Sequence, residues 1–478
     1  MPRFIFVTTA VLGLLAGCAS VPDLGPRPVE AAPGSLVSSA SLAAAPGAWP
    51  VEGWWQGFGD TQLDRLIAEG LAGSPDVAIA AARVRAAEAL AQQAGAALLP
   101  RVGAEAGAGG VQQSRNMGIP PQFVPDGVRD TGHVAATFGF DLDLWGRNRA
   151  ALAAATSEAE AARVDAAQAR LMLATGIAAA YADLAGYYDA LDVASEAVRV
   201  RSATARLAAD RARAGLENQA NQRQAESRAA SATADVVALE EAIAATRHRI
   251  AALVGAGPDR GLSITRPQMR RPTLGLPENA GIDLIGRRPD IVAARLRSEA
   301  AAKRIDVARA DFYPNISLSA LVGLQSLGLS NLFDAGSEYG SGGAAISLPI
   351  FEGGRLSGRY RGARADYDGA VAAYDRTLID ALRDVADIVA SRAATERQLA
   401  GRRAALEAAA EASKLASLRY RAGLANQIEQ LTAEDSMIAL NRAVTDLEAR
   451  QLALDIALIR ASAADTRRPT RQETNDGR

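Results

Sequence analysis

The chain has 478 residues, 49% hydrophobic and 22% charged, with a formal net charge of −2, too neutral to recruit nucleic acid or an anionic surface by bulk charge. Two histidines (His133 and His248) and a single cysteine exclude a zinc or disulfide framework. Aromatics at 5% are sparse for a wide globular core, whereas the abundant alanine suits closely packed helices.

In chain order, Arg3 precedes an apolar stretch, FIFVTTAVLGLLAG, ending in Leu15-Ala16-Gly17-Cys18. Its length and flanks are those of an export signal, residues 1–17, rather than of a spanning helix. LAGC resembles the bacterial lipobox, which implies covalent lipid on Cys18; an ordinary signal peptide with an incidental cysteine is the alternative. Ala19 stands where inner-membrane lipoproteins carry Asp, which favours the outer membrane. Residues 18–53, rich in Pro, Gly, Ala and Ser, read as a lipidated extended tether, and order is expected from Trp54-Trp55.

Two structural repeats follow, about 54–265 and 275–462. In the first, Val102, Ala104, Ala106 and Ala108 alternate with Arg101, Gly103, Glu105 and Gly107. FGFDLDLW, 138–145, alternates in the same way, so strands are predicted at about 100–110 and 134–144. Gly146–Arg213 then reads as one helix of about 100 Å at 1.5 Å per residue, with Ile177, Tyr181, Leu184, Tyr188 and Leu191 at coiled-coil spacing. After a turn, a second helix returns over 218–254. The second repeat has strands at about 314–325 and 341–350, a long helix 354–421 with Val371, Tyr374, Leu378, Leu382, Val385 and Val389 in stripe, and a return helix 426–462. The tail 466–478 is expected to be disordered.

The two turns nearly repeat: RAGLENQ, 213–219, and RAGLANQ, 421–427, agree at six of seven letters. Gln222, Ala225 and Glu226 answer to Gln430, Ala433 and Glu434 at the same offset of 208. Gly215 and Gly423 supply the left-handed residue that ends a helix, so the repeat marks the bends of two antiparallel hairpins. A period of two with one apolar and one polar face is the pattern of a membrane barrel strand, although any one segment would equally suit a soluble half-buried hairpin. Four such segments, in duplicate beside an export signal, favour the barrel. Four strands cannot close alone, and an open edge in lipid leaves backbone groups without partners, so several chains must share the barrel.

Several stretches carry a family resemblance. They are WWQGFGDTQLDRLI (54–67), SPDVAIAAARVRAAEA (74–89), FDLDLWGRNRA (140–150), IGRRPDIVAARLRSEAAAKRIDVARADFYPNISLSA (285–320), LPIFEGGR (348–355) and RYRAGLANQIEQLTAED (419–435). Together they resemble the TolC-like outer membrane factors, specifically the NodT-type lipoprotein branch that serves resistance–nodulation–division efflux pumps. The resemblance implies a mainly α fold with a transmembrane β-barrel: a homotrimer with twelve strands in the outer membrane and a twelve-helix periplasmic tunnel. It also implies a passive conduit for small molecules, with a periplasmic tip that opens against an adaptor bound to an inner-membrane transporter.

The resemblance also assigns site residues. Glu429, with Thr432 at the second position, is the acidic candidate for the constriction, where three copies would attract cations and repel anions. The equivalent positions in the first repeat are Asn221 and Gln224. Tyr420 fits the tyrosine of a closed-state lock, but the arginine position is Ala425 and the aspartate position Asn221, so a Tyr420–Asn221 hydrogen bond is the expected substitute. The tips Arg213, Ala214, Gly215, Leu216 and Arg421, Ala422, Gly423, Leu424 are expected to contact the adaptor. Turn chemistry alone explains their glycines but not the exposed leucines. Asp141, Asp143 and Glu105 are expected to face the barrel lumen.

No catalytic residue, metal site or cofactor is expected apart from the lipid, and the pattern of an enzyme is absent. The competing readings are a periplasmic coiled-coil lipoprotein scaffold, which has no use for four amphipathic strands, and an exit duct for type I protein secretion.

Overall fold

In the computed structural model, the described residues are 20–462, apart from 33–34, 39, 44–46, 49, 117 and 276–286. Cys18, its signal segment and the tail 466–478 lie outside them.

Four strands form one antiparallel sheet in the order β1 (Arg101–Val111), β2 (Arg129–Leu142), β3 (Asn315–Leu327) and β4 (Glu338–Ser347). The register keeps the alternation coherent across all four strands. Val102 pairs with Phe138, Phe138 with Ala320 and Ala320 with Gly342, while Ala104, Ala136 and Val322 form the next apolar row. The opposite face carries Arg101, Glu105, His133, Thr137, Ser319, Gln325 and Ser341 in the intervening rows. Val102, Val322 and Ile346 are exposed, as side chains directed at lipid would be in an isolated chain. No helix among the described residues is long and apolar enough to cross a membrane.

The helices are α1 (Thr61–Gly73), α2 (Pro75–Ala96), α3 (Arg147–Arg213), α4 (Gln219–Leu253), α5 (Pro289–Ala310), α6 (Arg355–Arg421) and α7 (Gln427–Ser462). Both α3 and α6 have 67 residues, and the return helices α4 and α7 have 35 and 36.

The chain divides into two compact units, and they do not follow the sequence repeats. One holds the described residues through Glu30, Val84–Ala161 and Ala294–Ala373; the other holds Ala31–Arg83, Ala162–Ala293 and the chain from Tyr374. Each unit takes material from both repeats, because strands and helix segments pack with their counterparts rather than with their sequence neighbours.

In the helical unit, the expected stripe on α3 is buried through Ile177, Tyr181 and Leu184, against Leu63, Leu66 and Ile67 of α1, Ile250 of α4 and Ile456 of α7. Close approach demands small residues here: a Cβ on Gly70 would lie 2.5 Å from Cδ1 of Ile177. The buried Tyr181 hydroxyl donates to Oδ2 of Asp60 at 2.8 Å, and Oδ1 of Asp60 caps α1 by accepting from the Gln62 N–H at 2.9 Å. One carboxylate therefore both starts α1 and fixes it to α3.

The segment expected as an extended tether makes hydrogen bonds to helix side chains where it is described. In the strand-bearing unit, Arg364 of α6 donates to the Gly25 carbonyl at 3.3 Å and the Tyr367 hydroxyl donates to the Pro28 carbonyl at 3.0 Å. In the helical unit, the Ala31 N–H donates to Oδ1 of Asp375 at 2.8 Å. A Pro-rich extended segment has few backbone partners of its own, and helix side chains supply them.

Candidate functional site

The two bends are the same to the level of single hydrogen bonds. Gly215 has φ +75° and Gly423 φ +73°, the left-handed conformation that costs glycine nothing. The N–H groups of Leu216 and Leu424 return to the carbonyls of Arg211 and Arg419, each at 2.8 Å, closing the helix ends. Asn218 and Asn426 then cap α4 and α7, accepting from the N–H of Asn221 and Glu429 respectively, again at 2.8 Å. Gly, Leu and Asn in the repeated motif thus each have a backbone task. The leucine side chains have none: Leu216 is 67% and Leu424 72% exposed. Arg213, Ala214, Arg421 and Ala422 are exposed beside them.

The one letter that differs between the copies, Glu217 against Ala425, is the centre of a contact between the hairpins. The fully buried Tyr420 hydroxyl donates to Oε2 of Glu217 at 3.3 Å. Nε of Arg211 lies 3.5 Å from the same oxygen, and the Arg211 guanidinium sits 4.7 Å above the Tyr420 ring. The Asn221 amide donates to the other carboxylate oxygen at 2.5 Å. Burial raises the Tyr420 hydroxyl above its ordinary pKa, with the Glu217 charge adding to that effect. Tyr420 therefore finds Glu217 rather than the expected Asn221, because the carboxylate reaches between the hydroxyl and the asparagine amide.

Behind this lock lies a seam of buried polar groups on α7. Gln427, Gln430 and Glu434 are all buried, and each leaves one side-chain oxygen without a hydrogen bond. Gln427 donates to the Asn221 carbonyl at 3.4 Å, and Thr204 of α3 donates to Glu434 at 3.0 Å. Burial raises the pKa of the Glu434 carboxyl; Asp435 raises it further, while the Thr204 bond, Arg201 and Arg228 act in the opposite direction. Asp435 is itself held by Arg201 of α3 and Arg228 of α4. Three helices from both hairpins therefore meet on two adjacent carboxylates.

Glu429 is exposed and pairs with Arg419 at 2.6 Å across its own bend. Thr432 and Gln224 are exposed, the Thr432 hydroxyl donating to the Ile428 carbonyl at 2.8 Å. On the polar face of the sheet, Asp141 pairs with Arg101 at 3.3 Å, and Glu105 shares that face. Asp143 stands past the end of β2, and its carboxylate accepts from the backbone N–H groups of Asn148 and Arg149, both at 2.9 Å, so it caps the start of α3. Glu217, Arg211 and the Glu434–Asp435 pair escaped the sequence reading. The mismatched letter in the repeat was the available signal for Glu217.

Comparison with known proteins agrees with this architecture. The outer membrane efflux protein family matches residues 66–256 and 283–464. The fusaric acid resistance protein FusA of Burkholderia cepacia is 38% identical over 374 residues, covering 74% of this chain and 68% of that protein. The multidrug resistance outer membrane protein MdtP of Escherichia coli K12 is 29% identical over 458 residues, 94% of this chain and 93% of that protein. Among solved structures, the outer membrane protein VceC of Vibrio cholerae superposes with a TM-score of 0.83 at 41% identity, covering 87% of this chain and 99% of VceC. The outer-membrane channel OprN gives a TM-score of 0.82 at 27% identity, covering 93% and 99%. The chain belongs to the outer membrane efflux protein family and is a non-enzymatic TolC-like channel protein that spans the outer membrane and extends into the periplasm.

Proposed function

We propose that this chain is one third of a passive, tip-gated conduit that receives small toxic compounds from an inner-membrane transporter of the resistance–nodulation–division class and releases them outside the cell. The family is that of trimeric channels, and two uncovered edges, on β1 and β4, call for neighbours on both sides. The observation that carries the gating reading is the Tyr420–Glu217–Arg211 contact, which ties one hairpin to the other at their bends. While it holds, the bends stay together; opening requires it to break.

In this reading Leu216 and Leu424 are the docking points for a periplasmic adaptor. Paired exposed leucines on two identical turns suit a repeated partner surface. Glu429 sets the charge at the constriction and favours cations there. Lipid on Cys18 anchors the chain, and the strap along α6 limits how far that anchor reaches. The relatives named for resistance make small-molecule export the better reading than protein secretion.

The test is deletion of the gene, a panel of toxic compounds, and copurification of the adaptor and transporter with the lipidated trimer. Sensitisation reversed by the wild-type chain, with both partners retained, is the expected result. An unchanged susceptibility profile together with no partner would overturn it.

A further inference from the structure

The strand-bearing unit contains a cavity of about 480 Å³ where β2 and β4 end and β3 and the helices α3 and α6 begin. β2 and β3 are the inner strands of the sheet, and β4 is one of its edges. In the conduit proposed above, on which this inference rests, the junction of strands and helices lies at the periplasmic boundary of the outer membrane, where a side chain needs both apolar and charged character.

The cavity has both. Trp145 and Tyr313 stack with ring centroids 4.7 Å apart and planes inclined by 22°. The indole N–H donates to the Pro314 carbonyl at 2.8 Å, which fixes the ring's orientation. Leu144 and Ile350 are exposed at the rim, and neighbouring Phe351 is 88% exposed. Such a rim is poorly placed in water and well placed among glycerol and acyl groups.

Three carboxylates and three arginines line the cavity. Asp143 is matched from outside the lining by Arg149, and Glu352 by Arg355, which leaves one cation in surplus. Asp311, however, faces two guanidiniums, with Arg147 and Arg359 each at 2.8 Å from one of its oxygens. Asp311 is nearly buried, while both arginines remain half exposed. One carboxylate cannot neutralise both, and their free N–H groups remain available to an anion.

We propose that this cavity binds the phosphodiester of an anionic inner-leaflet glycerophospholipid, with its backbone against the Trp145–Tyr313 stack. The surplus guanidinium charge matches one phosphodiester. A zwitterionic headgroup brings its own cation and gains less. The site seats a lipid against the joint between barrel and helices, and it stands independently of any adaptor at the tips.

The test uses the purified, delipidated full-length trimer with dioleoylphosphatidylglycerol or dioleoylphosphatidylcholine, counting retained lipids by native mass spectrometry. The wild type should retain phosphatidylglycerol about fivefold better than phosphatidylcholine. Arg147→Gln and Arg359→Gln should each remove that preference while leaving Asp311 one arginine partner, and Arg359→Lys should restore it. Persistence of the trimer in the same spectrum reports folding. Equal retention of the two lipids by the wild type, or an unchanged preference in both glutamine variants, would overturn the proposal. So would displacement of phosphatidylglycerol by inorganic phosphate, which would make the cavity a free-anion site.

Discussion

Tyr420 and Glu217 lie 203 positions apart in the chain, yet the buried phenol hydroxyl of one donates to the carboxylate of the other at 3.3 Å. Glu217 occupies the only position at which the two seven-residue turns differ. The repeated letters build each bend, and the unrepeated Glu217 meets Tyr420, just before the second bend, to join them. The two turns are thus nearly identical, and the asymmetry of the lock lies in Glu217 against Ala425 and Tyr420 against Ala212.

A double-mutant cycle should detect that contact. Tyr420→Phe keeps the ring beneath Arg211, and Glu217→Gln keeps the side-chain shape. Each change should destabilise the helical unit, and their coupling energy should be about 1 kcal/mol. Thermal unfolding of the four proteins measures it; strict additivity would mean that the hydroxyl and the carboxylate do not interact in solution.

Glu434 makes the seam behind the lock sensitive to pH. Its folded-state pKa is raised, chiefly by burial, so the folded state binds the proton more tightly than the unfolded chain does. The stabilisation from this group is therefore fully present below its ordinary pKa of 4.5 and is lost as pH rises through the folded value. Subtracting the melting profile of Glu434→Gln from that of the wild type should reveal this loss, because the amide imitates the protonated acid at every pH. Parallel profiles would show that Glu434 does not titrate within the seam.

The leucines of the bends should matter for binding and not for folding. Leu216→Asp combined with Leu424→Asp alters two exposed side chains whose backbone N–H groups carry the structural role. Stability should change by no more than about 0.5 kcal/mol per site, while copurification of the adaptor should fall at least about tenfold, the scale of one lost apolar anchor. A normal adaptor yield from the double variant would leave those leucines without a purpose.

Glu429→Gln should lower cation selectivity in planar bilayers. The charge pairs with Arg419 but remains exposed, so it is free to act on ions at the tip. Reversal potentials identical to the wild type would remove Glu429 from the conduction path.

Local features of the fold were legible because their periodicity is local. The strands, both long helices and both bends were read from spacing alone, since period two and heptad-like stripes need only neighbouring residues. Alternation also overran: it continues through Leu144 and Ile350, but β2 ends at Leu142, where Asp143 turns to cap α3, and β4 ends at Ser347 before Pro349. β2 begins at Arg129, earlier than expected, because RDTGH offers little apolar contrast before Val134. The compact units were not legible, because they depend on which distant segments pack together. Glu217 was not legible for a related reason: its partner Tyr420 lies 203 residues away in the other hairpin.

The central claim is tested most directly by single-channel conductance of the trimer in planar bilayers, comparing the wild type with Tyr420→Phe combined with Glu217→Ala. The account predicts a low-conductance wild type and a variant with markedly higher, more frequently open conductance, because its hairpins are no longer tied at the bends. A variant that folds as a trimer and conducts no better than the wild type would contradict it.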